Sequence, residues 1–137
     1  MAETILGIGT DICDIARIEN SLAQYGEKFE RKIFTPSERD YCLGKAAKAE
    51  CYAKRFAAKE ALAKALSTDD TGWLTWQDVE ITSAPSGKPS ITLHGKALER
   101  LMDMTPDDHV PTIHLSLSDE PPYALAFVII SLAPHAA

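Results

Sequence analysis

Cysteine is scarce in this chain. Cys13, Cys42 and Cys51 are the three, and none sits in a CxxC pair. An odd count without metal-type spacing argues against a disulfide scaffold or a structural zinc site and predicts reduced thiols in a cytoplasmic protein. Long apolar runs are missing too: none approaches the ~20 residues that span a bilayer, so no membrane segment is expected. The opening MAETILGIGTDI carries Glu3 and no basic stretch, which predicts no signal peptide. Positive charge is in the minority, with 14 Lys and Arg against 20 Asp and Glu for a net charge of −6. That balance is poor for general nucleic-acid binding. The common catalytic signatures are absent: there is no GxSxG and no P-loop GxxxxGKS/T, and His94, His109, His114 and His135 form no metal-type cluster. His114 falls on the polar face of its strand and reads as structural.

What is present is an ordinary soluble composition, 45% hydrophobic and 25% charged over 137 residues. That length suits a single domain spanning residues 1–137, large enough to bury a core. The charge is uneven. Residues 45–64 hold six basic and two acidic groups inside an otherwise acidic chain. Such an island is either a solvated helix face or a local attractor for an anionic ligand or acidic partner.

Within that island lies Ala53–Leu66, AKRFAAKEALAKAL, the strongest helix former in the sequence. Its many alanines make it thin, so other backbone can approach closely. Ala53, Ala57, Glu60 and Lys64 share one stripe, while Phe56, Ala63 and Leu66 point elsewhere. Taken alone, Glu60 and Lys64 are a surface i,i+4 pair contributing about 0.2–0.5 kcal/mol. The full helix is expected over 46–66, ending in the polar loop Ser67–Gly72.

Ahead of it, Thr4–Ile12 reads as a strand interrupted by Gly7 and Gly9. Glycines at alternate positions clear one face for close backbone contact or a bend. Asp11 follows in an apolar context, as a turn former, a helix cap or an oxygen ligand for a hard cation. Ile12, Ile15 and Ile18 recur at helical spacing, which predicts a short helix over 14–25 closed by Gly26. Thr35-Pro36-Ser37-Glu38 is a capping box with Pro at N1, starting a helix that runs to about Leu43 and Gly44.

Beyond the long helix the hydrophobic period drops to 2. Strands are expected at 76–82 and 90–94 around the turn Ser83–Pro89, and at 112–118 and 123–132. An amphipathic helix is expected at 95–104, with Leu98, Leu101 and Met102 inward. Tyr123–Leu132 is apolar on both faces, the mark of a central strand; the tail 133–137 reads as frayed. Helices first and strands second predict an α+β domain with the long helix packed on a small antiparallel sheet. A strand apolar on both faces requires further cover, which self-association can supply.

Asp11 and Glu60 thus occupy the two most constrained contexts, with Lys64 one turn beyond the second. Two carboxylates on separate elements can hold one Mg²⁺ and leave positions for phosphate oxygens. A neighbouring lysine can neutralise phosphate charge or protonate a leaving group. Phosphoryl-type transfer needs that arrangement.

Gly7-Ile8-Gly9-Thr10-Asp11-Ile12, followed about 50 residues later by Arg55-Phe56-Ala57-Ala58-Lys59-Glu60-Ala61 with Lys64, resembles the holo-acyl-carrier-protein synthases, small bacterial phosphopantetheinyl transferases. The resemblance extends to the Gly87-Lys88-Pro89 turn and the closing strand pair, nearly the whole chain. It implies transfer of the phosphopantetheine arm of coenzyme A to a serine of an acyl carrier protein, with release of adenosine 3′,5′-bisphosphate, in fatty acid biosynthesis. It implies Mg²⁺ held by Asp11 and Glu60, Lys64 as catalytic lysine, and coenzyme A contacts from Arg55, Gly87, Lys88 and Pro89. It also implies a homotrimer with sites between subunits. One departure stands out: Ser116-Leu117-Ser118 is followed by Asp119, where many members of the family have His. Basic surface for an acidic carrier protein is expected at Arg17, Lys28, Arg31 and Lys32, with Lys45, Lys48 and Lys54 as the second candidate. A non-catalytic module that binds coenzyme A and a metal-dependent phosphoesterase are the competing classes.

Overall fold

The computed structural model describes residues 4–66 and 74–135. The expected loop 67–72, Glu3 and the last two residues lie outside these. The first strand, β1, runs Thr4–Asp14, and α1 follows at Ile15–Tyr25. Asp14 caps α1 by accepting from the Ala16 backbone N–H at 3.0 Å, so the strand continues two residues past its expected end and turns directly into the helix. Gly26 closes α1 as expected, with φ at 56°. The next segment forms a helix unforeseen from sequence, α2, Glu27–Ile33.

The capping box stands as expected at the head of α3, Pro36–Leu43. Thr35 Oγ1 accepts from the Glu38 N–H, and the Glu38 carboxylate accepts from the Thr35 N–H at 2.8 Å. The long helix, α4, spans Lys48–Ala65 and is buried on nearly every side. Downstream come a 3₁₀ turn at Trp76–Asp78, the hairpin β2 (Val79–Ser83) and β3 (Pro89–Leu93), and α5 (Gly95–Met104). The chain closes with β4 (His109–Glu120) and β5 (Tyr123–Pro134), so Ala133 and Pro134, the first two residues of the tail expected to fray, are strand.

Two antiparallel sheets result: β1-β5-β4, and the separate β2-β3 hairpin. β5 is central, as its two apolar faces predict. Its register pairs Gly9 with Val128 and Asp11 with Ala126, while β4 sets Leu117 opposite Ala126. Gly7, Gly9, Asp11 and Cys13 therefore share the inner face with Ala124, Ala126, Val128 and Ile130. The core lies between that face and α4. The closeness of approach explains the glycines. A Cβ at Gly7 would stand 1.8 Å from the Ala65 carbonyl oxygen, and one at Gly9 1.9 Å from that of Ala61. Small residues on both elements let strand and helix meet backbone to backbone.

On the opposite face β1 and β5 expose apolar side chains, while β4 presents the exposed polar row Thr112, His114, Ser116 and Ser118. Ile8 and Ile12 stand beside Leu125 and Phe127, with Ile5 and Tyr123 at the ends.

The cysteine expectation is corrected. Cys42 ends α3 and Cys51 lies in the first turns of α4; the helical elbow brings their Cα atoms to 5.5 Å and the two sulfurs are bonded. Cys13 alone is a free, buried thiol. Parity misled because one local pair and one core thiol also make three.

Candidate active site

Asp11 and Glu60 converge where β1 runs out along α4. Having no side chain at Gly7 or Gly9, the strand lies flat on the helix, and Asp11 is the next residue on the same face. Lys64 reaches back across the gap. Its ammonium donates to the Thr10 carbonyl at 2.9 Å and stands 3.3 Å from Asp11 Oδ1. Lys64 thus pairs with the strand carboxylate and not with Glu60, its expected i,i+4 partner, on which it acts only through its charge.

Glu60 is half-buried, and burial pushes its carboxyl above the ordinary range. The Asp11 charge adds to that push, while Lys64 and Arg17 oppose it. A second cation between Asp11 and Glu60 would relieve the same repulsion. Two hard-oxygen donors on different elements, one of them part-exposed, suit a divalent cation that keeps open positions for other oxygens. Among the described residues no cluster of three or more His, Cys, Asp or Glu could complete an all-protein cage. Arg17 is exposed on α1, its guanidinium 5.8 Å from the Phe56 ring centroid.

Farther toward the start of α4 opens a cleft of about 380 Å³, walled by Tyr41, Lys45, Lys54, Arg55, Ser83 and Gly87 among others. Lys54 and Glu60 are roughly 9 Å apart along the helix axis, so cleft and carboxylates lie on one helix within reach of an elongated ligand. Arg55 is the cleft's buried cation. It lies 4.2 Å over the Tyr41 ring and donates to Ser83 Oγ at 3.3 Å, while its Nε has no partner. Burial lowers its proton affinity, and a hydrogen bond with Ser83 lowers that of the Tyr41 hydroxyl. Lys45 stands 4.5 Å over the same ring. Asp119, opposite Ala124 at the end of β4, pairs with Lys54 at 3.2 Å.

Among the expected cofactor contacts, Arg55, Gly87 and Pro89 line the cleft; Lys88 sits at the exposed hairpin tip and is not part of its wall. Tyr41, Lys45, Lys54 and Ser83 escaped the sequence reading as cleft residues, although the basic island at 45–64 marked where most of the positive charge would gather. Lys28, Arg31 and Lys32 are exposed on α2, with Arg31 3.6 Å from Glu27. His114 is exposed and hydrogen-bonded to Ser131 at 3.0 Å, in keeping with a structural role.

Lys59, next to Glu60, is the least expected side chain. Its ammonium is fully buried 2.9 Å from the equally buried Glu38 and donates to the Trp76 and Val79 carbonyls. Glu38 in turn accepts from the Ile81 N–H at 2.8 Å. One carboxylate thus caps α3, anchors β2 and neutralises a cation on α4, fixing the turn of α4 that carries Glu60.

Residues 7–127 match the model of the 4′-phosphopantetheinyl transferase superfamily. A holo-acyl-carrier-protein synthase from Methylorubrum populi is 52% identical over 132 residues, covering 96% of this chain and 97% of the relative. The crystal structure of the holo-acyl-carrier-protein synthase from Neisseria meningitidis superposes with a TM-score of 0.78 at 35% identity, covering 93% of this chain and 98% of that one. The Helicobacter pylori holo-acyl-carrier-protein synthase, solved in complex with coenzyme A, gives a TM-score of 0.75 at 32% identity over 90% of this chain and 98% of its own.

Proposed function

The chain belongs to the 4′-phosphopantetheinyl transferase superfamily, and we propose that it moves the 4′-phosphopantetheine group of coenzyme A onto a serine of an apo-acyl carrier protein, releasing adenosine 3′,5′-bisphosphate, in the cytoplasm and in the service of fatty acid biosynthesis. The observation that carries this reading is the convergence of Asp11, Glu60 and Lys64 at the end of a basic cleft built on the same helix.

The nucleophile belongs to the partner, so the chain needs none of its own. Its task is to place the serine against the β-phosphate of coenzyme A and to stabilise charge there. In this reading Arg55, Lys45 and Lys54 hold the nucleotide phosphate in the cleft, with the backbone at Gly87 and Pro89 forming its rim. The diphosphate then extends along α4 to Lys64, whose ammonium balances charge developing on the leaving bisphosphate. Asp11 and Glu60 would hold Mg²⁺, which when bound polarises the diphosphate oxygens. Glu60 is the chain's carboxylate placed to take up the serine proton. Asp119 keeps Lys54 at the cleft wall by its ion pair, so a carboxylate here acts through a cation.

The uncovered apolar surface of β1 and β5 supports assembly through that face, and we read the working form as a homotrimer with sites at the subunit boundaries. No helix among the described residues is long and apolar enough to cross a membrane.

Incubation with coenzyme A, Mg²⁺ and an apo-carrier protein, followed by intact mass, tests the activity. Transfer adds the phosphopantetheine mass to the carrier. Release of bisphosphate without that mass gain would make the protein a phosphoesterase, and neither event would make it a binding module.

A further inference from the structure

The Cys42–Cys51 bond closes a ring around residues 43–50, and Lys45, Ala46, Ala47 and Glu50 of that ring line the basic cleft together with Cys51 itself. Residues 48–50 are held in α4, with Lys48 paired to Glu30 at 3.3 Å, and Lys45 lies over the Tyr41 ring, so the least restrained part of the ring is 43–47. Residues 43–47 are exposed, and α4 begins behind Ala47 without a side-chain cap. Two backbone hydrogen bonds, Lys45 N–H to Cys42 and Cys51 N–H to Ala47, each 3.1 Å, tie it to the two helices. The bond also adjoins the cleft's buried cation: Arg55 Nη1 is 3.5 Å from both the Cys51 carbonyl and Cys51 Sγ, and Arg55 stacks on Tyr41, the residue before Cys42.

We propose that Cys42 and Cys51 form a reversible dithiol–disulfide site that sets how tightly the cleft holds a nucleotide phosphate, the oxidised form binding more strongly. The proposal rests on the reading of the cleft given above. The oxidant is a low-molecular-weight disulfide of the glutathione class, which reaches Cys51 through the cleft wall. In the reduced protein the Arg55 guanidinium stabilises a thiolate at Cys51. That thiolate attacks one sulfur of the small disulfide; a mixed disulfide forms, and the first small thiolate leaves and takes up a proton. The Cys42 thiol, its proton lost to water, then attacks the Cys51 sulfur, forms the protein disulfide and expels the second small thiol. Two protein thiols are oxidised and one small disulfide is reduced to two thiols; a dithiol reductant runs the exchange backwards. Closing the ring removes conformations from segment 43–50, so less ordering remains to oppose ligand binding. Cys13 takes no part, being buried in the core with its thiol pushed up by burial.

The test uses the full chain equilibrated in oxidising and in reducing glutathione buffers. Alkylation under denaturing conditions should find one free thiol in the first and three in the second. Amide hydrogen exchange over 44–50 should quicken on reduction, and calorimetry should show adenosine 3′,5′-bisphosphate binding weakened by roughly three- to tenfold. Cys42→Ala and, separately, Cys51→Ser should bind like the reduced protein in both buffers. Three free thiols in every buffer, or equal exchange and equal affinity in the two states, would overturn the proposal. Binding in neither state overturns the reading of the cleft instead, and exchange over 44–50 then decides the dithiol site by itself: faster on reduction supports it, unchanged overturns it.

Discussion

Gly9 lies so close to Ala61 that a Cβ on the strand residue would stand 1.9 Å from the helix carbonyl oxygen. This approach places Asp11 beside Glu60, because it fixes β1 against the helix that carries the second carboxylate. Gly9→Ala should therefore push the two elements apart, destabilising the fold by about 2 kcal/mol or more. Urea unfolding measures it, and an unchanged midpoint would show that the contact yields freely.

Lys59 and Glu38 are both fully buried and 2.9 Å apart. Removing one partner strands the other charge in the core, so Lys59→Met should cost about 3–5 kcal/mol. Adding Glu38→Gln should restore part of that loss, a non-additivity that a double-mutant cycle reads directly. Strictly additive losses would mean that the pair is not energetically coupled.

The apolar outer surface of β1 and β5 carries Ile8 at 60% exposure, opposite Ile129 and diagonal to Phe127. The homotrimer proposed above predicts that Ile8→Glu gives a monomer in light scattering, with transfer activity falling alongside. A variant that keeps the wild-type mass would place the interface elsewhere.

Much of this architecture was legible before any coordinate. Alternating glycines foretold the strand–helix contact, Thr35–Glu38 the cap, Tyr123–Leu132 the central strand, and Asp11, Glu60 and Lys64 the convergence. Sequence periodicity could not reveal that Arg55 and Lys59 are buried, because a buried cation depends on partners from distant segments, here Tyr41, Ser83 and Glu38. Nor could it pair Cys42 with Cys51, whose meeting depends on the elbow between two helices. The second helix was missed because FERKI is too short to show a period, and its start, Gly26, reads equally well as an end.

Arg17 is exposed on the helix that leaves β1 three residues after Asp11. In the proposed function it serves to receive an acidic carrier protein near the carboxylates. Arg17→Glu should lower kcat/KM for carrier protein at least tenfold at low salt and less at moderate salt, with bisphosphate affinity nearly constant. Wild-type values at both salt concentrations would remove α1 from the docking surface.

The most direct test of the account compares wild type with Glu60→Gln and Lys64→Ala in the transfer assay across a Mg²⁺ titration. Both variants should fold, since Glu60 and Lys64 are incompletely buried. Glu60→Gln should lose at least about a hundredfold in transfer at limiting Mg²⁺. Lys64→Ala should keep the wild-type Mg²⁺ dependence and lower kcat rather than raise the KM for coenzyme A. Near-normal transfer by Glu60→Gln at limiting Mg²⁺ would contradict the assignment of Asp11 and Glu60 as the metal-holding pair.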